Sequence, residues 1–396
     1  MKQHRTAHNL TSLLILAILF SLSGCSYMKY INPHMVESEI PSEPPAPKTT
    51  EFDQALRDLG KMTQIYDTYS IAIQSIVVGD ETGIAIAREA EGEIPQRISE
   101  MTNSALNAVG GKVVFIPYIP NYINSMHTIG YPSAGKKILP NVILSGGITE
   151  FDRGLETRGK NTDMGFSTKS ISGAPTWFDS QTISLDSSLA EKSSVATITL
   201  DSNLLDFQTV SGIPGIQAVN TIKVYKTNSE KELSFSLFGP SFGLKGTIQK
   251  VQGRHAAVRL LVQLNTIEVI GKLYNLPYWR LLQNFAANDL IVAELRTDFG
   301  KWSEITRTIK FQEMLYLHGQ NVPVSGVFDE RTRQALQLFA PAAAGKIALP
   351  DAELFVQLYT TIPITNETIT RRHEFNGKLQ ALLKQLKQRP GTTEKS

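Results

Sequence analysis

The segment Ser70-Ile71-Ala72-Ile73-Gln74-Ser75-Ile76-Val77-Val78-Gly79-Asp80-Glu81-Thr82-Gly83 decides how its neighbours are read. Ser70 to Val78 is rich in β-branched side chains and reads as a buried strand, closed by the turn-forming residues Gly79 to Gly83. Upstream, Phe52, Leu56, Leu59 and Met62 recur at helical spacing, which predicts a short helix over 51–67. Downstream, Ile94, Ile98, Met101 and Ala105 share one face of a second helix, with Pro95 suited to its first turn and Gly110-Gly111 as its stop. Lys112 to Ile116 is a second strand. A third starts at Asn141 to Leu144 and runs through Gly146-Gly147 to Phe151. A glycine pair inside a strand reads as a bulge or close-packing point, not a phosphate loop. The order β-α-β-β predicts a compact α/β layer.

Beyond it the composition changes. Residues 153–250 lose helical periodicity, and Ser, Thr, Gly and Asn dominate. Alternation at Ile222/Val224, and at Leu233/Phe235/Leu237 with Ser234/Ser236 between, predicts extended hairpins. A long helix returns from Gly253 to about Leu276, with Val258, Leu261, Val262 and Ile267 among its apolar positions and Pro277 as its end. Residues 303–340 form a compact helix-turn-helix pattern, and Pro341 to Gly345 is a joint. Residues 366–388 form a basic helix whose Arg371, Arg372, Lys378, Lys384 and Lys387 read as its solvated face.

The N-terminus has its own logic. Lys2 and Arg5 precede an uninterrupted apolar core from Leu13 to Phe20, then Leu22-Ser23-Gly24-Cys25. A positive n-region before a short apolar h-region is a secretory signal, too short for a stable spanning helix. Small residues directly before a cysteine form the lipobox pattern of bacterial lipoproteins, so Cys25 is the expected lipidation site. It is the only cysteine in the chain, which leaves none for disulfides. Several acyl chains on one residue anchor durably where one would be marginal. Ser26 after the cysteine, in place of Asp, fits sorting to the outer membrane, facing the periplasm. Pro33, Pro41, Pro44, Pro45 and Pro47 then make residues 26–50 an extended tether. Cleavage before Cys25 removes Lys2 and Arg5 and takes the net charge from +2 to zero, which argues against nucleic acid as a partner.

Catalytic and metal patterns are sparse. Gly239-Pro240-Ser241-Phe242-Gly243 matches G-x-S-x-G, which needs a strand-turn-helix setting and a paired histidine. Strand-like sequence lies on both sides, so a glycine-rich hairpin turn is the expectation. His34, His127, His255, His318 and His373 are scattered singly, without metal-ligand spacing. The reading is non-enzymatic, with no cofactor and no metal.

Two segments carry resemblances. Ser70–Gly83, with its Asp80-Glu81-Thr82-Gly83 turn, resembles the first strand and D-x-T-G turn of the CsgG family, the lipoproteins that form the outer-membrane channel for curli subunits. Val142–Phe151 is similar to that family's V-x-G-x-I strand, and Leu264-Asn265-Thr266-Ile267-Glu268-Val269-Ile270-Gly271 resembles the helix that closes its periplasmic domain. The resemblance spans about 70–280 and implies two β-hairpins per subunit, near 153–200 and 219–250, contributed to a barrel closed between identical copies. A barrel pairs every backbone group, as lipid demands. Further on, Ile309–Leu315, His318–Asp329 and Arg331–Phe339 resemble a peptidoglycan-binding-like domain. There Gly319 would end the first helix in a left-handed conformation, Gly326 would allow a tight turn and Asp329 would cap the next helix. Phe311, Leu315, Phe328, Leu336 and Phe339 would fill its core. Asn321 and Ser325, beside the Val322–Phe328 turn, are the candidate peptidoglycan contacts; the alternative is that both only shape the turn.

The expected organisation is therefore α+β: a signal peptide over 1–24, a lipidated tether over 25–50, a CsgG-like α/β domain over 51–300, a small all-α peptidoglycan-binding-like domain over 301–345 and a helical basic tail over 346–396. The expected role is an outer-membrane, lipid-anchored cyclic homo-oligomer. It would form a secretion channel or channel component for an adhesin, fibre or polymer cargo, docked to peptidoglycan. The alternative is a non-pore lipoprotein ring or scaffold tying an envelope machine to the wall.

Overall fold

In the computed structural model, residues 50–396 form one unit. Described within it are residues 50, 52–82, 98–121, 138–153, 194–226, 233–238, 248–251, 254–282, 285–340 and 351–388. The signal segment, Cys25, the tether, residues 154–193 of the first candidate hairpin and the Ser241 motif lie outside the described residues.

Helix α1, Phe52–Ile65, buries Leu56, Leu59, Met62 and Ile65 on one face. Each such side chain contributes roughly 1.5–3 kcal/mol when fully buried. Strand β1 is Ile71–Asp80, α2 is Ile98–Val109, β2 is Val113–Pro117 and β3 is Val142–Arg153. β1 pairs in parallel with both β2 and β3, through Ile71↔Val113 and Ile73↔Val142. Strands β4, Ser194–Asp206, β5, Gly212–Lys226, β6, Leu233–Phe238, and β7, Ile248–Val251, continue the sheet antiparallel. The seven strands stand in the order β2-β1-β3-β4-β5-β6-β7. Gly146 is a close-packing point, as its sequence setting suggested: a Cβ there would lie 2.2 Å from the Asp201 carbonyl oxygen.

The sheet is covered on one face. Ile198, Leu200, Ser202 and Leu204 of β4, and Ala218, Asn220, Ile222 and Val224 of β5, are buried. The alternating positions Thr197, Asp201, Asn203, Gln217, Val219 and Lys223 are exposed or half-buried, as period-2 geometry requires, while Thr199 on the same face is buried under its bonds to Glu150 and Thr221. Helices α2 and α3, Arg254–Leu273, pack on the apolar face, and α1 packs on both of them. Asn275, at φ 53°, stops α3 before Pro277 is reached: the Leu276 N–H donates to Gly271 O at 2.8 Å and the Asn275 N–H to Lys272 O at 3.2 Å. Tyr278 then folds back so closely that a Cβ on Gly271 would sit 2.4 Å from its ring.

The remaining helices are α4, Asp289–Lys301, α5, Glu304–Leu317, α6, Glu330–Phe339, α7, Ala352–Thr361, and α8, Asn366–Gln388. Here the expected partition changes. Phe311, fully buried, packs edge-on against Phe299 of α4 at 5.8 Å and Phe355 of α7 at 6.1 Å, while Phe299 and Phe355 stack at 5.3 Å. The 301–345 segment therefore shares its core with helices on both sides. Phe328 and Phe339 stay only partly buried at its margin.

The basic helix is corrected too. Arg372 is not on a solvated face: it is 2 % exposed, donates to Glu313 Oε1 at 2.7 Å and also donates to the Ile65 carbonyl at the end of α1. Arg371 reaches the Leu317 carbonyl, and Lys378 lies 4.2 Å over the Tyr316 ring; Lys384 is exposed.

Strand direction sorts the connections to two ends of the sheet. Residues 154–193 and 227–232 leave from the end where Arg153 faces Ala196 and Lys226 faces Leu233. The β4–β5 turn and the start of β1 lie at the other end. There the helical layer attaches: Tyr66 Oη donates to Tyr359 O at 2.6 Å, Tyr359 Oη to Asn275 O at 3.3 Å, and Asn376 Nδ2 to Asp67 Oδ2 at 2.9 Å. No described helix is long and apolar enough to cross a membrane.

Candidate functional site

The turn between α5 and α6 is built from its helix ends inward. Gly319, at φ 89°, ends α5 with the Gln320 N–H on Leu315 O at 3.0 Å and its own N–H on Tyr316 O at 2.9 Å. Asp329 caps α6 by accepting from the Thr332 N–H at 2.8 Å. Its carboxyl is held below the ordinary range because bonds from Thr332 outweigh its desolvation. Gly326 sits at φ 69°, so both glycines and the cap take the places their motif assigned.

The organiser is a residue that the sequence reading passed over. Gln312 is fully buried, and its Oε1 accepts from the Ser325 N–H at 3.0 Å and the Gly326 N–H at 3.1 Å. Its Nε2 donates to Ser325 Oγ at 3.1 Å, Val327 O at 3.0 Å and Thr332 Oγ1 at 3.2 Å. One amide thus satisfies the inward-facing groups of the whole turn. The signal was the Gln in the Phe311-Gln312 pair, but helical spacing alone does not say that its amide points at a turn thirteen residues on.

Ser325 and Asn321 part company. Ser325 is half-buried, and its hydroxyl also accepts from the Val327 N–H at 3.2 Å, so it is one of the turn's internal partners. Asn321 is exposed, as is Val327. Arg333, ion-paired with Glu330, lies 5.9 Å over the Phe328 ring. The turn therefore offers an amide, an apolar side chain and a guanidinium, groups that can hydrogen-bond and stack.

Under α3 lies a second polar group. Asn265 Nδ2 donates to Leu200 O at 2.8 Å and to Ser202 Oγ at 3.0 Å, while Asn220 Nδ2 donates to Asn265 Oδ1 and Glu268 Oε1, each at 2.8 Å. Lys272 closes the group with one bond to Glu268 at 3.2 Å and another to Gln217 O at 2.6 Å. The polar positions of the Leu264–Gly271 segment thus pin α3 to the sheet.

Of the histidines, His255 and His373 are exposed, and His318 Nε2 bonds Leu358 O at 2.9 Å. Burial lowers the His318 pKa from its ordinary value, and the Leu358 bond only partly offsets that. Among the described residues, no three His, Cys, Asp or Glu side chains stand close enough to hold a metal ion. No family model matches this chain, and no curated protein matches it.

Proposed function

We propose that this chain is a lipid-anchored subunit of a CsgG-like outer-membrane secretion assembly, with its hairpin end toward the membrane and its helical layer toward the cell wall. One observation carries the reading: the sheet sends the long connection 154–193 and the shorter 227–232 out of one end and attaches α4–α8 at the other. A protein tethered by Cys25 and working between bilayer and wall needs this polarity. Copies closing into a ring would pair hairpin edges that are a liability in a single chain.

A non-pore scaffold is the second reading, favoured by a specific dimension. β6 and β7 span six and four residues, whereas a membrane strand needs about 9–11. Full-length lipidated protein, extracted in mild detergent, separates the two. A channel gives rings by electron microscopy and stepwise conductance in planar bilayers. Rings without conductance leave the scaffold, and a monomer across several detergents ends both.

A further inference from the structure

A cleft of about 530 Å³ opens where β1 and β3 begin, between the β4–β5 turn and the end of α3. Its floor is apolar: Val142 is buried, and Ile213 and Leu273 are half-buried against the core. Tyr69 forms one wall. It is 62 % exposed yet held in place, since its carbonyl accepts from Tyr274 Oη at 3.0 Å and its ring meets the Tyr274 ring edge-on at 5.2 Å.

Three polar residues line the same cleft: Asn141, Asp206 and Gln208. Asn141 is fixed by three bonds. Its Oδ1 accepts from the Ala72 N–H at 2.8 Å, its N–H donates to Ala72 O at 2.8 Å, and its carbonyl accepts from the Phe207 N–H at 3.0 Å. The side-chain nitrogen is therefore its donor for a ligand. Asp206 takes the Gln208 and Thr209 N–H groups and the Thr209 hydroxyl on Oδ1, which leaves Oδ2 for a ligand hydroxyl. Gln208 is exposed. Among the described residues that line the cleft, Asp206 alone is charged, so an anionic ligand would meet a carboxylate with no cation beside it.

We propose that this cleft binds a short neutral saccharide, with one sugar ring stacked on Tyr69 and its hydroxyls bonded to Asn141, Asp206 and Gln208. A pyranose ring has the matching construction. Its axial C–H bonds make a face apolar enough to lie on an aromatic ring, and each of its hydroxyls both donates and accepts. A concave site with apolar walls and a few placed polar groups is the common form of a small-ligand pocket, and this volume falls in its range. The same chemistry is offered by an acetylated glycan of the wall and by a plain exported polymer. The site does not rest on the secretion reading.

The test uses the full-length chain carrying Asn321→Ala, which removes the other candidate glycan contact, in a detergent without a sugar headgroup. Saturation-transfer NMR reads the binding of a glucose tetrasaccharide, an N-acetylglucosamine tetrasaccharide and an uncharged apolar hexapeptide. At least one tetrasaccharide is expected to bind saturably, with the strongest transfer to its ring C–H protons. Tighter binding of the acetylated chain would assign the ligand to the wall, and of the plain chain to an exported polymer. Tyr69→Ala should weaken binding about tenfold, the loss of one aromatic contact, while Tyr69→Phe should keep it. Gln208→Ala, at an exposed position, should weaken it severalfold without moving the melting temperature. No saturable saccharide binding, Tyr69→Ala or Gln208→Ala binding as the parent does, or tighter binding of the hexapeptide would each overturn the proposal.

Discussion

Arg372 and Glu313 meet where α1, α5 and α8 converge, both almost out of water. Burial opposes the ionisation of Glu313, but Lys310 and Arg372 together outweigh it and hold the carboxyl below its ordinary range. Arg372 Nη2 is buried without a hydrogen-bond partner, so this guanidinium is desolvated beyond what its bonds return. Removing one member of such a pair strands the other, at about 3–5 kcal/mol, whereas replacing both with apolar groups can be neutral. Arg372→Met is therefore expected to lower unfolding free energy by about 3–5 kcal/mol, and Arg372→Met/Glu313→Leu to recover most of it. A double variant no more stable than the single, in urea titrations, would refute that coupling. The pH dependence follows from the direction of each shift. Glu313 contributes stability above the ordinary glutamate value of about 4.3, and loses it as pH falls through its lowered folded value. His318 is also lowered, so the unfolded chain takes up its proton first, and stability drops as pH falls below about 6.5. His318→Gln should flatten the difference in melting temperature between pH 7.5 and pH 5.5; an unchanged difference would assign it to other groups.

At the level of elements, periodicity was a good guide where a helix or strand has one buried face. The helix around Leu56 and Leu59, the strands beginning near Ile71, Val113 and Val142, and the cap at Asp329 all stand where spacing and cap chemistry put them. What spacing could not convey was the partner of an inward polar residue. Gln312, Asn265 and Arg372 each sit on a helix that would tolerate them facing water. Their burial is decided by carbonyls and amides far off in sequence, such as Ile65 O for Arg372. The β4–β5 hairpin was legible only in its second strand, through Ile222 and Val224, for a related reason. One face of that pair carries polar side chains, so in β4 Thr197, Thr199, Asp201 and Asn203 alternate with the apolar positions and no single residue marks the start of the strand. Its turn carries no glycine where one would fit. Asp206 Oδ1 accepts from the Gln208 and Thr209 N–H groups, and Val210 is driven to φ 55° with its side chain 65 % exposed. The left-handed region costs an L-residue roughly 1–2 kcal/mol, and β-branching makes Val an unusual occupant. Val210→Gly is expected to raise stability by about 1 kcal/mol, less what the freer unfolded chain takes back. A drop in melting temperature would mean that the Val210 side chain has contacts worth more than its strain.

For the molecule as a whole, the helical layer is a body grafted onto the sheet rather than a bead on a string. Phe299, Phe311 and Phe355 come from α4, α5 and α7, and α8 closes the layer with Phe375 fully buried and Tyr316 Oη donating to Glu374 at 2.6 Å. A fragment cut at 301 and 345 would expose Phe311 and Leu315 and leave Glu313 without Arg372. At about 40 residues, a chain with neither disulfide nor metal has little core to offset the entropy of ordering. We expect residues 301–345 to show weak helicity and no cooperative melt, and residues 285–388, which keep α4–α8, to melt cooperatively. A sharp transition in the short fragment would mean that the shared aromatic cluster adds nothing essential. The longer fragment is then the right object for asking whether this layer holds the wall. If it does, residues 285–388 should pellet with purified sacculi. Asn321→Ala should weaken pelleting without moving the melt, because Asn321 is exposed, whereas Ser325→Ala should move the melt, because its hydroxyl belongs to the Gln312 network. Failure of the folded fragment to pellet would leave the layer as a contact for protein, and the exposed Val327 beside Asn321 would be the first position to probe for it.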